Sequence, residues 1–487
     1  MSTVNKDAIV DVVASNLVSS ANLIANIEQK SEQIKNENKE YNAFITQATK
    51  EQLIAEVEAL STNKNGVLFG VPIAIKDNIA VKEMRMTCAS KMLENFDHPL
   101  YDATVVKKLK AAGAIIMGKA NMDEFAMGAS NETSYFGPVK NAWNTDYVSG
   151  GSSGGSAVAV ATGSVYMALG TDTGGSVRQP AAFNNIVGMK PTYGRVSRFG
   201  VTAFASSLDQ VGICTRTVAD NAKTLEVIAG FDDYDATSSH ISVPKYSALL
   251  EVNLSGKKIA VFKEFLSEGV SEEVRRVVDE AIAIYIALGA TVEIISMPHL
   301  KYVVPAYYIV APSEASSNLA RFDGIHYGYR SPNAKTLEEI YTMSRAEGFG
   351  TEVRKRLLMG TYFLNHSAYD AYYIQAAKLR RLIDADFQKV FESFDIILGP
   401  TTPTPAFKFG ESQKNPVDAY LHDICTIPAN LIGLPAISVP GGFTKKDNLP
   451  VGIQLIGKPY DEVGVYQFAY AFEQKTHYHA YAKKGGQ

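Results

Sequence analysis

Cysteine is nearly absent from this chain of 487 residues. Cys88, Cys214 and Cys425 are odd in number and lie far apart in the sequence. Small disulfide-stabilised domains, and sites in which several cysteines hold a metal ion, need more cysteines at closer spacing. The sequence therefore argues against a disulfide framework and a cysteine metal site, and it favours a reducing compartment, the cytoplasm.

Long apolar runs and runs of one charge are missing as well. No segment reaches the roughly 18 uninterrupted apolar residues that a membrane-spanning helix needs, and the N-terminal residues lack the apolar region of a signal peptide. The 47 basic and 51 acidic residues are well mixed and leave a net charge of −4. No basic run that could clamp phosphates is present. We therefore expect no membrane contact and no direct binding of nucleic acid by this chain.

The common motifs for metals and nucleotides are also lacking. The eight histidines form no H-E-x-x-H pair, and neither a Walker sequence nor G-x-G-x-x-G occurs. The sequence predicts that this chain holds no cofactor of its own.

The most distinctive stretch is rich in glycine and serine. Residues 149–176, SGGSSGGSAVAVATGSVYMALGTDTGGS, contain eight glycines. Residues 149–155 are almost wholly Ser and Gly, and residues 156–169 are small and apolar. This pattern predicts a turn followed by a small-residue helix, in which backbone amides and hydroxyls can approach a ligand closely. A flexible linker is the alternative, but a linker would not continue into an apolar segment.

Alternating strand and helix patterns predict an α/β fold. We expect one large domain, residues 61–487, with an N-terminal helical layer, residues 1–60, as part of it. Residues 6–60 have apolar residues at helical spacing, and residues 335–392 are predicted to be largely helical. The helix predicted over 271–288 has Ser271 as its N-cap and Gly289 at its end. The predicted strands lie in the segment 70–78 and at 114–117, 259–262, 291–295, 395–398, 436–439 and 451–456.

Lys76 ends the first of these strands, directly after Ala74 and Ile75. A lysine in this place often extends its amine to solvent. If it is buried, its pKa falls from about 10.4 towards 7 and it becomes a base. A serine hydroxyl needs such a base before it can act as a nucleophile, and Ser152 and Ser176 are the candidates. A nucleophile elbow, G-x-S-x-G at 150–154, is an alternative, but the polar residues 144–148 do not supply the buried strand that it needs.

Three segments together resemble the amidase signature family: Gly70–Asn78, Gly150–Ser156 and Gly170–Pro180. The resemblance implies a large, twisted, mixed β-sheet covered by helices on both faces. It also implies a Ser–cis-Ser–Lys triad, in which Ser176 is the nucleophile, Ser152 the bridging serine in a cis peptide and Lys76 the base.

Within this family the chain resembles the glutaminase subunits of tRNA-dependent amidotransferases over nearly its whole length. The supporting segments are 121–128, 188–200, 314–324 and 433–436. The resemblance implies hydrolysis of glutamine to glutamate and delivery of ammonia within a heterotrimer with B and C subunits. The B subunit would use ATP and Mg²⁺ and bind most of the tRNA. The misacylated substrate is then Glu-tRNA(Gln), Asp-tRNA(Asn) or both.

The resemblance also implies a glutamine pocket made by Tyr307, Arg356 and Asp423. A free amino acid presents a carboxylate and an ammonium, so one cation and one anion are suitable partners; a structural ion pair is the alternative reading of each charge. The backbone amides of Thr173, Gly174, Gly175 and Ser176 would hold the oxyanion.

Three further expectations concern the neighbours of the nucleophile and the rival functions. Asp172 and Arg178 could pair with each other and support the loop of Ser176. A free-standing amidase is the first rival function, and the presence of both Arg356 and Asp423 disfavours it. A non-catalytic assembly subunit is the second rival, and the presence of Lys76 and Ser176 disfavours it.

Overall fold

A single mixed β-sheet connects strands from both ends of the chain. The computed structural model describes residues 9–18, 20–60, 66–267, 269–411 and 423–480. The strands are β1 Phe44–Gln47, β2 Pro72–Lys76, β3 Ile115–Ala120, β4 Met167–Asp172, β5 Val187–Lys190, β6 Gln210–Thr215, β7 Lys258–Phe262, β8 Thr291–Ile295, β9 Ile396–Pro400, β10 Ala436–Phe443 and β11 Pro450–Ile456. They form an 11-stranded sheet in the order β1-β3-β2-β4-β6-β5-β10-β11-β9-β7-β8.

Two groups of parallel strands interrupt the otherwise antiparallel sheet. Strand β2 runs parallel to β3 and β4, and β7 runs parallel to β8 and β9. Neighbouring parallel strands need a crossover connection, usually a helix. The predicted α/β fold with a mixed sheet is therefore confirmed.

Helices make these crossovers and accompany the sheet. Their bounds are α1 Ile9–Val18, α2 Ser20–Tyr41, α3 Lys50–Leu60, α4 Thr104–Ala111, α5 Gly154–Ala161, α6 Arg178–Phe183, α7 Val218–Ile228, α8 Glu272–Ala287, α9 Val303–Asn318, α10 Leu337–Gly348, α11 Thr351–Phe363, α12 Tyr373–Phe391, α13 Ile427–Leu431 and α14 Glu462–Thr476. In the part of the chain that is described, no helix is long and apolar enough to cross a membrane.

The predicted end signals of α8 are confirmed. The Ser271 side chain accepts a hydrogen bond from the Val274 N–H at 3.3 Å, and Glu272 and Glu273 occupy the first turn, where negative charge is favourable. Gly289 follows the helix with φ +94°, a conformation that ends helices and suits glycine.

Four strands were not predicted: β1, β4, β5 and β6. Strand β1 lies inside the segment 6–60, which we expected to be helical throughout, so that prediction is wrong at 44–47. Within the apolar run 156–169 the helix α5 ends at Ala161, and Met167 already begins β4. Gly163, with φ +85°, lies in the turn between them.

The small residues of α5 have a steric reason. A Cβ atom on Gly155 would lie 2.4 Å from the carbonyl oxygens of Ala43 and Asn121. The helix therefore packs directly against neighbouring backbone. This close packing brings the turn before α5 to the ends of β2 and β4.

Candidate active site

Lys76 ends β2 with its side chain fully buried. Its amine nitrogen, Nζ, lies 2.7 Å from Ser152 Oγ and 2.8 Å from Ser153 Oγ. Thr171 contributes its Oγ1 at 2.9 Å and its carbonyl oxygen at 3.2 Å. The structure thus brings Lys76 and Ser152 together, as expected. It adds Ser153 and Thr171, which the sequence analysis missed.

The hydrogen bonds around Lys76 direct its lone pair. Ser153 Oγ donates to the Thr171 carbonyl oxygen at 3.2 Å, so towards Lys76 it acts as an acceptor. Asn78 Nδ2 lies 3.0 Å from Thr171 Oγ1 and donates to it. A neutral amine has two N–H donors and one lone pair. When the donors point to Ser153 and Thr171, the lone pair faces Ser152 Oγ, whose proton Lys76 can therefore accept.

The protonation of Lys76 fits the role of a base. Burial lowers the pKa of this amine to about 7, although the carboxylates of Asp123, Asp172 and Asp209 act in the opposite direction. The direction predicted from the sequence is confirmed. At neutral pH a large fraction of the amine is neutral, the form that can accept a proton.

The turn before α5 holds Ser152 against Lys76. The peptide bond between Gly151 and Ser152 is cis, as the resemblance implied. The Gly151 N–H donates to Gln179 Oε1 at 2.9 Å, and the Ser152 carbonyl oxygen accepts from the Asp123 N–H at 3.1 Å. A Cβ on Gly151 would lie 1.9 Å from Asp123 Oδ2. Only glycine fits there.

Ser176 lies in the turn between β4 and α6. Its carbonyl oxygen accepts from the Ser153 N–H at 3.0 Å, which ties this turn to the one that holds Ser152. Ser176 is 8% exposed, whereas Lys76 and Ser152 are 0% exposed. Of the three predicted triad residues, Ser176 is thus the one that a substrate can reach. The roles of the three residues stay predictions.

The backbone amides beside Ser176 are not equally available. Within the described ranges, the amides of Thr173, Gly174 and Ser176 donate no hydrogen bond. The Gly175 N–H donates to Asp172 Oδ1 at 2.8 Å. The oxyanion role of Gly175 stays a prediction, and in this structure its N–H already orders the turn.

Asp172 and Arg178 form a buried ion pair, as expected. Arg178 donates through Nε and Nη2 to the two Asp172 oxygens at 3.0 Å each, and both side chains are 0% exposed. Asn430 Nδ2 adds a donor at 2.9 Å. Burial opposes ionisation of Asp172, but Arg178 outweighs it and holds the pKa of this carboxyl below its usual range. The pair fixes both ends of the Ser176 turn.

The substitution Asp172→Asn is expected to destabilise the protein by about 3–5 kcal/mol, because Arg178 would remain buried without its counter-charge. The measurement is the midpoint of equilibrium urea denaturation. Asp102→Asn is the control, since Asp102 pairs with Lys110 in a partly exposed site and its loss should cost about 1 kcal/mol or less. Equal midpoints for the two variants would contradict the structural role of Asp172.

Tyr307 and Arg356 lie on two helices that pack tightly, α9 and α11. A Cβ on Gly360 of α11 would lie 1.9 Å from the Pro312 carbonyl oxygen of α9. The Tyr307 ring faces the turn after β4, because a Cβ on Gly174 would lie 2.8 Å from Tyr307 Oη. Two of the three predicted pocket residues thus belong to one helix pair, and Tyr307 packs on the Ser176 turn.

Asp423 borders the same turn through Thr426. The Thr426 hydroxyl donates to the Gly174 carbonyl oxygen at 2.6 Å, and the Thr426 N–H donates to the Asp423 carbonyl oxygen at 3.0 Å. Burial raises the pKa of the Asp423 carboxyl to about 7, and Arg356 acts in the opposite direction. Among the residues that the structure describes, this carboxyl has no ion-pair partner. It can therefore receive an ammonium group.

Arg356 has a partner that the sequence analysis missed. Its Nε donates to Glu352 Oε1 at 2.8 Å, one turn earlier on α11. Arg356 thus has a structural ion pair, with Glu352 and not with Asp423. Its two terminal nitrogens make no hydrogen bond within the described part of the chain, so they remain available for a carboxylate. The binding roles of Tyr307, Arg356 and Asp423 stay predictions.

The nucleophile-elbow alternative does not fit this structure. Residues 144–148 form turns and isolated bridges, and no strand leads into Ser152. Across the described ranges, no group of three or more His, Cys, Asp or Glu side chains could hold a metal ion.

Comparison with known proteins gives the same family from sequence and from structure. The sequence model of the family Amidase matches residues 25–465. The A subunit of the glutamyl-tRNA(Gln) amidotransferase of Oceanobacillus iheyensis is 54% identical over 455 residues, which cover 93% of each chain. The protein of the same name from Latilactobacillus sakei is 55% identical over 460 residues, 94% of each chain.

A solved structure supports this relationship. The crystal structure of the glutamyl-tRNA(Gln) amidotransferase A subunit from Thermotoga maritima is similar with a TM-score of 0.80 and 44% identity, covering 95% of this chain and 94% of that one. A 6-aminohexanoate cyclic dimer hydrolase has the same fold, with a TM-score of 0.83 and 23% identity. The chain therefore belongs to the amidase family.

Proposed function

We propose that this chain is the glutaminase subunit of a glutamyl-tRNA(Gln) amidotransferase. The observation that carries the proposal is the 2.7 Å contact between Lys76 Nζ and Ser152 Oγ beside the turn of Ser176. The relatives named above, 54–55% identical to this chain, are subunits of that enzyme. A base, a bridging hydroxyl and a reachable hydroxyl are the groups that amide hydrolysis through an acyl-enzyme needs.

The first chemical step forms a tetrahedral intermediate on Ser176. Neutral Lys76 accepts the proton of Ser152 while Ser152 accepts that of Ser176, and Ser176 Oγ attacks the side-chain amide carbon of glutamine. The amides of Thr173 and Gly174, with that of Ser176, stabilise the resulting oxyanion. In other enzymes the loss of one such donor lowers kcat by about 100- to 1,000-fold.

The second step releases ammonia and then glutamate. The proton returns from Lys76 through Ser152 to the leaving nitrogen, the carbon–nitrogen bond breaks, and a γ-glutamyl ester remains on Ser176. Water activated by the same relay then hydrolyses the ester. Each turnover converts glutamine and water to glutamate and ammonia and restores the neutral amine.

Substrate selection follows from the charges of the pocket. In our proposal Arg356 binds the α-carboxylate of glutamine, Asp423 binds its α-ammonium, and the Tyr307 ring packs beside the Ser176 turn. Charge-assisted hydrogen bonds of this kind contribute about 1.5–3 kcal/mol each. An amide without an amino-acid moiety would lose both, so glutamine is favoured over simple amides.

We further propose that the ammonia serves a partner. B and C subunits would complete a heterotrimer in the cytoplasm, and the B subunit would bind ATP, Mg²⁺ and most of the tRNA. The near balance of charges on this chain, a net −4, supports tRNA binding elsewhere in the complex. Its cysteines are free and buried, which suits a reducing compartment.

Ammonia release tests the proposal. The full chain, alone and with its B and C subunits, is supplied with glutamine, asparagine and propionamide. We expect release from glutamine, much less from the other amides, and a higher rate when the partners and misacylated tRNA are present. Comparable release from all three amides, indifferent to the partners, would favour the free-standing amidase instead.

The substitution Arg356→Gln is expected to raise KM for glutamine about 10- to 100-fold, because it removes a charge-assisted hydrogen bond to the carboxylate. Initial rates at varied glutamine concentration measure this change. Arg354→Gln is the matched control, since Arg354 lies on the same helix and is exposed. The same KM in both variants would mean that Arg356 does not bind substrate.

A further inference from the structure

Glu124 is a buried carboxylate that the reaction above does not use. It is 3% exposed. Its two oxygens accept from the Gly350 N–H at 3.1 and 2.9 Å, and one of them also accepts from the Ser90 hydroxyl. The Ser90 hydroxyl oxygen in turn lies 3.3 Å from the Gly348 carbonyl oxygen. Glu124 therefore binds the short connection between α10 and α11.

This connection is the N-terminal end of α11. Gly350 is the N-cap residue, and as a glycine it has no side chain with which to cap the helix. Glu124 places a carboxylate there from 226 positions away in the sequence, where the helix dipole favours negative charge. A Cβ on Gly350 would lie 2.3 Å from Glu124 Oε2. The contact thus requires both the carboxylate and the glycine.

Helix α11 carries Arg356 only six positions beyond Gly350. That distance is less than two helical turns. A shift of the helix end at Gly350 therefore moves the Arg356 guanidinium, whereas the far end of α11 is held by the close contact of Gly360 with Pro312.

Asp123, the residue before Glu124, contacts the turn that holds Ser152. The Asp123 N–H donates to the Ser152 carbonyl oxygen at 3.1 Å. The two residues after Glu124, Phe125 and Ala126, have φ of +48° and +62°, a backbone conformation that non-glycine residues adopt rarely. The Phe125 ring packs against Phe349 with 5.5 Å between ring centroids. One tight turn therefore connects the Ser152 turn to the start of α11.

From this geometry we infer that Glu124 is a positioning residue for glutamine binding. It fixes the N-terminal end of α11 relative to the Ser152 turn, and so it sets the distance between Arg356 and the nucleophile Ser176. The inference rests on the proposed function. It adds to the pocket a residue that touches neither substrate nor triad side chains.

Steady-state glutamine hydrolysis by the full chain with its partner subunits tests this inference. Glu124→Gln places an NH₂ group where oxygens accept from Gly350 and Ser90, and we expect it to raise KM about tenfold with kcat within about threefold. Gly350→Ala breaks the same contact from the other side and should raise KM equally. In the double variant KM should be about tenfold, and not a hundredfold, above that of the unsubstituted enzyme, because both substitutions remove the same contact.

Glu132→Gln is the matched control. Glu132 also accepts from a backbone N–H, that of Gly410 at 2.8 Å, but Gly410 belongs to no helix that carries a predicted pocket residue, so KM should not change. A second readout is calorimetric binding of glutamine in a Ser176→Ala background, in which adding Glu124→Gln should weaken Kd about tenfold.

Three results would overturn the inference alone, and the first two are an unchanged KM in both single variants of an active enzyme, or KM increases that multiply in the double variant. A fall in kcat at constant KM would likewise overturn it, because Glu124 would then act on the triad. The proposed function fails if the unsubstituted enzyme does not hydrolyse glutamine and the Ser176→Ala variant does not bind it. This inference then fails as well.

Discussion

Glutamine hydrolysis is expected to fall by about 10,000-fold or more when Ser176 is replaced by alanine, as in other enzymes that lose a serine nucleophile. In our proposal this substitution removes the hydroxyl oxygen that forms the acyl bond, so no later step of the reaction can proceed. The fold should persist, because Ser176 is tied to Ser153 through its backbone carbonyl, which alanine retains. Ammonia release at saturating glutamine measures the change.

Ser156→Ala is the matched control for this loss. Ser156 lies in the same Gly-Ser segment and is buried, but its hydroxyl donates to the Leu169 carbonyl oxygen and not to Lys76. Its removal should leave kcat within a few-fold. Substantial activity in Ser176→Ala would assign the nucleophile to another residue, and Ser152 would be the next candidate to examine.

The substitution Lys76→Met is expected to lower kcat by about 1,000- to 10,000-fold, at the upper end of what general-base catalysis contributes. Methionine fills the space of the buried side chain but has no amine. Ser152 would lose the acceptor that lies 2.7 Å away, and its hydroxyl could no longer remove the proton of Ser176. Ammonia release and the thermal midpoint, measured together, separate loss of chemistry from loss of fold.

The pH dependence of kcat is an independent test of the role of Lys76. The pKa of Lys76 is lowered by burial to about 7, and the base acts only when neutral. We therefore expect kcat to rise with pH up to about 7 and to level off above it. In our proposal the ammonium of bound glutamine keeps Asp423 ionised at saturating substrate, so kcat should report the relay and not that carboxyl. A kcat that stays flat from about pH 5.5 to about pH 8.5 would contradict this role.

Lys190→Met is the control for the lysine substitution. Lys190 is also buried, and its pKa is likewise lowered by burial to about 7. Its amine donates to the Pro191 carbonyl oxygen and not to the triad. The control should keep the pH profile of kcat, even if it lowers stability. Loss of the profile in both variants would mean that the profile does not report Lys76.

Local sequence patterns predicted much of the fold, because they reflect interactions between near neighbours. The cap of α8 by Ser271 depends on groups three residues apart, and the apolar run before Lys76 matches a strand that is buried on both faces. The direction of the Lys76 pKa shift followed from that burial. The family motifs then predicted Ser152 and Ser176 as partners of Lys76. The spacing of these residues along the chain could not show whether they meet in space.

The remaining features depend on contacts between distant segments. Strand β1 exists because it pairs with β3, about 70 residues later in the chain, so its short sequence carried little signal of its own. Ser153 and Thr171 were visible in the motifs, but their contact with Lys76 depends on how α5 and β4 meet. The Gly175 amide could not be recognised as occupied without the position of Asp172. For Glu352 a signal was present, because a glutamate four positions before Arg356 faces it on a helix.

Trapping the acyl-enzyme tests the central claim most directly. The enzyme is mixed with isotopically labelled glutamine, quenched in acid during turnover, and digested for mass spectrometry. Our account predicts a labelled γ-glutamyl ester on the peptide that contains Ser176, sensitive to hydroxylamine and absent in Ser176→Ala. The same label on another residue, with turnover intact in Ser176→Ala, would contradict it.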